Sequence, residues 1–166
     1  MGVGSPDRGD DAIGAKVAGA VTALGLPHVA VIVHEDPTDL IELWSGSDPV
    51  VVIDAVRSGA AAGTLTILET GAGLDPLPAS AWRWTGRGGT HAFGVAEAVE
   101  LGRALHRLPP RLTIVGIEAR AFEHGAPLSP EVAAALPDAL EAVLGAVSLS
   151  RQGNAHRREG HDHVPG

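Results

Sequence analysis

The sequence has no cysteine among its 166 residues. This absence excludes disulfide bonds, thiolate metal sites and cysteine nucleophiles, and it is mildly in favour of a cytoplasmic compartment. No apolar run approaches the ~20 residues that a membrane-spanning helix needs. The first residues also lack the basic and then apolar layout of a signal peptide. We therefore expect a soluble cytoplasmic protein without a membrane partner.

Basic residues are scarce as well. The chain has 12 Lys and Arg against 20 Asp and Glu, which gives a formal net charge of −8. Nucleic-acid binding needs clustered Lys and Arg to contact phosphates, so we expect no nucleic-acid partner. Hydrophobic residues make up 45% of the chain, as is usual in globular domains. We expect one domain over residues 1–148 that acts as a monomer, followed by a disordered, His-containing tail over residues 149–166, which lacks apolar periodicity.

The remaining sequence alternates between strand-like and helix-like segments. Runs rich in β-branched residues predict strands in "HVAVIVHED", "PVVVIDAV", "GTLTILET" and "RLTIVGIEA". Helical spacing predicts helices in "DDAIGAKVAGAVTALG", "PTDLIELWSG", "HAFGVAEAVELGRALHRL" and "LSPEVAAALPDALEAVLGAV", the last kinked or divided at Pro137. This alternation predicts an α/β fold with three α/β/α layers and a mostly parallel, twisted sheet of four to five strands.

The stretch "GVGSPDRGDDAIG", from Gly2 to Gly14, is a glycine-rich turn that opens a helix. In α/β proteins such a turn follows a strand, and no strand precedes it here. We expect that the first strand is missing from this chain because the start codon has been placed too late. On this interpretation, upstream residues in the same frame would convert a marginal protein into a stable one.

Polar side chains are predicted at one edge of the sheet, beyond the carboxyl ends of the strands. Asp10 and Asp11 open the first helix, Asp54 ends a buried strand, His91 opens a helix and Glu118 follows the last strand. Carboxylates with an imidazole form a ligand set suited to Ni, Zn or Mn. Plainer interpretations stay open: an aspartate that satisfies helix N–H groups, a solvated strand end at Asp54, and a capping residue at His91.

Other site classes lack their motifs. The third glycine of "GVGSPDRGDDAIG" is displaced from a dinucleotide fingerprint, and aspartates stand where a pyrophosphate would bind. The chain has neither the G-K-[ST] phosphate loop nor the G-x-S-x-G elbow of a serine hydrolase. These other chemistries therefore fit the sequence less well than a metal site does.

With these residues in place, the sequence resembles the hydrogenase maturation proteases. These endopeptidases trim the C-terminal extension of the large subunit of [NiFe] hydrogenases. The resemblance covers about residues 2–147 and rests on four ordered blocks: "GVGS" with "DDAIG", "VVVIDAVRSG", "GTHAFGV" and "GIEARAFEHGAPLSPEV". Ser5 stands where the family usually has Asn, Ala119 where it usually has Pro, and no hydrophobic strand precedes Gly2.

The resemblance implies that Asp11, Asp54 and His91 bind nickel, which belongs to the active site of the precursor substrate. It implies a catalytic set of Asp11, Asp54, His91 and Asp10, with Asp10 matching the acid that precedes the first ligand. Our first interpretation is a metal-polarised carbonyl attacked by water, with Asp10 or Asp54 as base. A purely aspartic mechanism is the alternative.

Two further functions stay open at this point. The chain could be a nickel-sensing or chaperone-like module that keeps the three ligands and cuts nothing, or a general metal-dependent peptidase. Cleavage of a nickel-loaded precursor, but not of a nickel-free one, would separate these possibilities.

Overall fold

The structure is a computed structural model that describes residues 1–77 and 94–159, with side chains described as far as residue 148. The described part of the chain forms five strands: β1 Gly2–Val3, β2 Val33–His34, β3 Val50–Val56, β4 Leu65–Thr70 and β5 Leu112–Glu118. It also forms four α-helices: α1 Ile13–Ala23, α2 Leu40–Leu43, α3 Val95–Ala104 and α4 Pro130–Glu159. Short 3-10 turns at Gly9–Ala12 and Pro37–Asp39 lead into α1 and α2.

The strands form one sheet in the order β2-β1-β3-β5-β4. All neighbouring pairs are parallel except β4 and β5, which are antiparallel. The central pair is β3 and β5, in which Asp54 lies opposite Gly116. The predicted mostly parallel sheet is therefore confirmed, with five strands. The first strand, expected to be missing, is represented by the two residues of β1 between β2 and β3.

Helices cover both faces of the sheet, as predicted. One apolar cluster joins α2 and α3 to the sheet through Leu40, Trp44 and Val99. The other joins α1 and α4 to the opposite face through Ile13, Val17, Val132 and Val143. Because β3 and β5 are buried between these two layers, their apolar runs are continuous rather than alternating. The three-layer α/β/α architecture is confirmed.

The ends of several elements differ from the sequence-based expectation. Pro137 lies inside α4 and does not divide it, so that part of the prediction was wrong. Helix α3 begins at Val95, four residues after His91. Helix α4 continues to Glu159, past the predicted domain end at residue 148. The domain boundary at residue 148 and the disorder of residues 149–166 stay predictions.

Within residues 1–77 and 94–159, no helix is both long and apolar enough to span a membrane.

Candidate active site

Two glycines allow the helix that carries the first aspartates to lie directly against the sheet. Gly4 follows β1 with φ +112°, and a Cβ at this position would lie 2.2 Å from the carbonyl oxygen of Asp11. A Cβ on Gly14, in the first turn of α1, would lie 2.3 Å from the carbonyl oxygen of Val3 and 2.7 Å from that of Ile53. Only glycine fits such approaches. The glycine turn thereby brings Asp11 to the carboxyl end of β1, beside that of β3.

Asp11 is half-buried, and its Oδ2 accepts a hydrogen bond of 3.0 Å from the backbone N–H of Ser5. The bond closes the glycine turn on itself, because Ser5 and Asp11 lie at its two ends. Neither Asp10 nor Asp11 makes a side-chain cap to the 3-10 turn or to α1. The helix-capping interpretation of these aspartates is therefore not what the structure shows.

Asp54 lies within β3, where two effects act on its carboxyl group. Burial raises its pKa, and the negative charge of Asp11 raises it further, against a smaller opposing effect of the Ala55 N–H. The result is a pKa of about 7. A carboxyl that titrates near neutrality can both accept and release a proton, which suits acid–base chemistry. The structure thus places Asp11 close enough to Asp54 for its charge to raise the pKa of Asp54, as the topology predicted.

The carboxylate of Asp10 contacts a different segment of the chain, residues 120–129. It is fully buried, and its carboxylate accepts hydrogen bonds from the N–H groups of Arg120 (3.0 Å), Ala121 (2.9 Å) and Ser129 (2.6 Å) and from the Ser129 hydroxyl (3.0 Å). Burial raises the pKa of Asp10, but these bonds, led by that from Arg120, outweigh burial and hold the pKa below its ordinary value. Its oxygens are occupied by the segment that leads into α4.

Glu118, at the end of β5, holds the turn that follows β3. Its carboxylate accepts bonds from the N–H of Ser58 (2.9 Å), the hydroxyl of Ser58 (2.7 Å) and the N–H of Gly59 (2.9 Å). The sequence placed Glu118 at this edge but did not identify Ser58 or Ser129 as partners of the buried acids. A Ser-Gly pair just beyond Asp54 was the available signal, since such pairs favour turns with free N–H groups.

His91 lies outside the described residues, together with the rest of residues 78–93. Where the description resumes, the N–H of Gly94 donates to Glu97 Oε2 (3.0 Å), which fixes the start of α3. Among the residues that are described, no three His, Cys, Asp or Glu side chains form a group able to hold a metal ion. The ligand set of Asp11, Asp54 and His91 therefore stays a prediction.

Comparisons with known proteins agree on one family. The family model described as HycI, hydrogenase maturation protease, matches residues 35–146. Hydrogenase 2 maturation protease of Escherichia coli (strain K12) is 29% identical over 154 residues, which cover 90% of each chain. The solved structure of the hydrogenase maturating endopeptidase HybD from E. coli is 25% identical, covers 90% of each chain and superposes with a TM-score of 0.69. The HybD maturation protease from Thermococcus kodakarensis, 24% identical over 90% of this chain and 95% of its own, shares the fold with a TM-score of 0.64.

Proposed function

The chain belongs to the hydrogenase maturation protease family and is a peptide hydrolase, and on that premise we propose that it removes the C-terminal extension of a [NiFe] hydrogenase large-subunit precursor. The match of the family model over two thirds of the chain carries this proposal. The products are the mature subunit and a released C-terminal peptide. The cut follows nickel insertion, because the nickel of the precursor is the feature that the protease recognises.

Asp11, Asp54 and His91 are the residues we assign to that recognition. The nickel is part of the substrate on this proposal. The electrostatics of the described pair support the assignment: the charge of Asp11 raises the pKa of Asp54, so two carboxyl groups that repel each other lie at one edge of the sheet. A divalent cation would relieve this repulsion. Two carboxylates and an imidazole also form a donor set that suits nickel.

Asp54 is the residue we assign as base. The pKa of about 7 belongs to the free protein, and a nickel ion beside Asp54 would lower it, so that in the complex Asp54 is the carboxylate that takes a proton from the attacking water and returns it to the leaving amine. The precursor's nickel would supply Lewis acidity at the scissile carbonyl. Asp10 suits this role less well, because four donors already occupy its oxygens.

An aspartic mechanism is the second candidate, and the same pair supports it. The charge of Asp11 favours the protonated form of Asp54, and a pair of neighbouring carboxyl groups that holds one proton is the arrangement of aspartic proteases. In that case Asp11 and Asp54 together would activate the water, and nickel would serve recognition alone. Replacing nickel in the precursor by a metal of different Lewis acidity separates the two: only the metal-assisted mechanism predicts a changed kcat.

The proposal also assigns the reaction to the cytoplasm and the chain to a monomeric state. A chain without cysteine is suited to a reducing compartment, where disulfides do not form. Sedimentation of the purified chain at micromolar concentration tests the oligomeric state, and fractionation of cells tests the compartment.

The test of the function is cleavage of a nickel-loaded precursor beside a nickel-free one, read by mass spectrometry of the large subunit. We expect loss of the C-terminal peptide from the loaded precursor only, and no loss with the Asp54→Asn variant. Binding of the loaded precursor without cleavage would identify a nickel-sensing module instead. Equal cleavage of both precursors, or of unrelated peptides, would identify a general peptidase.

A further inference from the structure

Arg57 is an exposed arginine at the same edge of the sheet as the candidate active site. It follows β3 directly and comes three residues after Asp54 in the chain. The Cα atoms of the two residues are therefore at most about 11 Å apart, even with fully extended backbone. Neither the nickel recognition nor the proton transfer proposed for the site involves the Arg57 side chain.

The guanidinium group of Arg57 is held in place by two contacts. Its Cζ atom lies 4.2 Å from the centroid of the Phe122 ring, which is a cation–π contact. Its Nη2 group donates a hydrogen bond of 3.3 Å to the backbone carbonyl of Arg120. An exposed side chain that is already ordered in this way loses little conformational entropy when it binds a ligand.

The ring beneath Arg57 belongs to a loop that packs against the glycine turn of the site. A Cβ on Gly9 would lie 3.6 Å from the backbone nitrogen of Phe122, and Gly9 is two residues before Asp11 in that turn. The side chain of Arg57 is thus held by a loop that contacts the turn of Asp11, while its backbone continues from the strand of Asp54. Both acids of the described pair are therefore close to it in the fold.

Arg57 is not paired with an acidic side chain in the part of the chain that the structure describes, where its partners are the ring and the carbonyl named above. The neighbouring acid Glu118 accepts bonds from the N–H groups of Ser58 and Gly59 instead. Residues 78–93 contain no Asp or Glu and so supply no carboxylate. Three other arginines each form an ion pair: Arg107 with Glu42, Arg111 with Asp48 and Arg120 with Glu131.

The ligand that such a guanidinium group suits best is a carboxylate. Its N–H donors form a planar fork that matches the two oxygens of a carboxylate group. One donor is used on the Arg120 carbonyl, and the exposure of the side chain leaves the others accessible. These donors point outward in the plane of the guanidinium, so stacking on the Phe122 ring does not block them.

We propose that Arg57 binds a carboxylate group of the precursor's C-terminal extension, and so favours precursors whose extension presents a carboxylate beside the site. This inference rests on the proposed function, because the extension is the substrate segment that must reach Asp11 and Asp54 to be cut. The carboxylate belongs either to an acidic side chain of the extension or to its C-terminus. Arg57 is a specificity-determining residue on this proposal, and Phe122 is the residue that positions it.

The first experiment measures KM, kcat and the Kd of the nickel-loaded precursor for variants of Arg57. Arg57→Ala should raise KM and Kd about tenfold or more and leave kcat within about twofold of the parent, because the lost hydrogen bonds act in binding alone. Arg57→Lys keeps the charge without the planar fork and should raise both constants by less. Arg107→Ala removes an arginine between α3 and β5, at the opposite edge of the sheet, and as the control should match the parent.

The second experiment identifies the carboxylate. In one altered precursor the Asp and Glu residues of the extension are changed to Asn and Gln, and in another the extension ends in a C-terminal amide. The precursor that lacks the bound carboxylate should bind the parent more weakly, and Arg57→Ala should no longer raise its KM or Kd. Phe122→Leu removes the aromatic face, so it should raise Kd in the parent but not in the Arg57→Ala chain.

The proposal is overturned if Arg57→Ala leaves KM and Kd at the parental values, or if Arg107→Ala raises them equally. It is also overturned if Arg57→Ala raises them as much with both altered precursors as with the unaltered one, since the effect is then a structural one. A parent chain that binds the loaded precursor without cutting it would contradict the proposed function alone, and the Kd comparison would still decide the role of Arg57. A parent chain that does not bind the precursor would contradict both.

Discussion

At the scale of single residues, the charge state of Asp54 links stability to activity. Its pKa is about 7 in the folded chain, against an ordinary value of 3.8. Between about pH 4 and pH 7 the folded chain thus holds a proton that the unfolded chain has released, so this residue's contribution to stability falls as pH rises. Two acidic side chains held close together lower the stability of the folded chain, as is common for catalytic groups.

Asp54→Asn should therefore stabilise the chain at pH 8 and change little at pH 4. The amide removes the cost of a buried charge beside Asp11, and we expect a gain on the order of 1–2 kcal/mol at pH 8. Urea unfolding at the two pH values measures it. Asp7→Asn, which alters an exposed aspartate at the same end of the molecule, is the matched control. If the Asp54→Asn chain is no more stable than the parent at pH 8, the ionised carboxylate of Asp54 does not destabilise the folded state.

Asp11 can be tested by the length and charge of its side chain. Asp11→Glu should keep processing, because the longer acid retains the negative charge that balances a divalent cation, whereas Asp11→Asn should lose processing together with that charge. The Ser5 N–H bond can be made by an amide oxygen as well, so stability should change little in the Asn variant. Normal processing by Asp11→Asn would leave Asp11 with the structural role of closing the glycine turn alone.

His91 is the third assigned ligand. His91→Ala should reduce precursor processing below detection, since two carboxylates without the imidazole form an incomplete ligand set. Its circular dichroism spectrum and Tm should match those of the parent, because the predicted role is in binding and not in the core. His124→Ala, at an exposed histidine of the segment before α4, is the control and should process normally. If His91→Ala matured the precursor at the parental rate, His91 would have no part in the site.

At the scale of elements, Asp10 ties together two loops that the chain separates by more than a hundred residues. Its carboxylate binds the N–H groups of Arg120, Ala121 and Ser129, while the Gly125 N–H donates to the Asp7 carbonyl (2.7 Å). Glu118 does the same for the turn after β3. The two buried carboxylates thus fix the loops on either side of Asp11 and Asp54. We interpret Asp10 as a positioning residue.

Asp10→Ala should consequently lower the free energy of unfolding by about 3 kcal/mol or more, because several buried N–H groups lose their acceptor at once. Its kcat should fall through displacement of Asp11, and the pH dependence of the remaining activity should keep the shape set by Asp54. Urea unfolding and a pH–rate profile measure the two effects. Lost activity with unchanged stability would instead make Asp10 the base.

The sequence predicted where the acidic residues lie in the fold better than it predicted which groups they contact. The edge location of Asp54 and Glu118 followed from the ends of apolar runs, and that of Asp11 from the glycine turn that opens the first helix, because these are local signals. The contact between Asp10 and Ser129 joins residues 119 positions apart. It depends on how two irregular loops pack against each other, and no local sequence pattern carries that information. The start of α3 at Val95 was likewise set by the Glu97 bond to the Gly94 N–H, a cap that the predicted start at His91 overlooked.

At the scale of the whole molecule, the alternation of strands and helices was sufficient to predict three layers around a mostly parallel sheet. The alternation did not reveal that β4 lies antiparallel at the edge beside β5. The β-branched run before His34 also predicted a longer β2 than the structure has. A strand forms only where a neighbour pairs with it, and β1 offers two residues.

The same reasoning gives a prediction for the end of the chain. Among the side chains that the structure describes, the apolar cluster between α1, α4 and the sheet reaches as far as Ala146 and Val147, and the sequence beyond Leu149 has no apolar periodicity. Although α4 continues to Glu159, a helical segment whose sequence has no apolar periodicity contributes little stability in water. A chain ending at Ser148 should therefore unfold within about 2 °C of the full chain and process the precursor at the same rate. A chain ending at Ala139, which removes Val143 from the cluster, is the contrasting form and should unfold well below it. A large loss of Tm on ending at Ser148 would show that residues 149–166 pack against the domain.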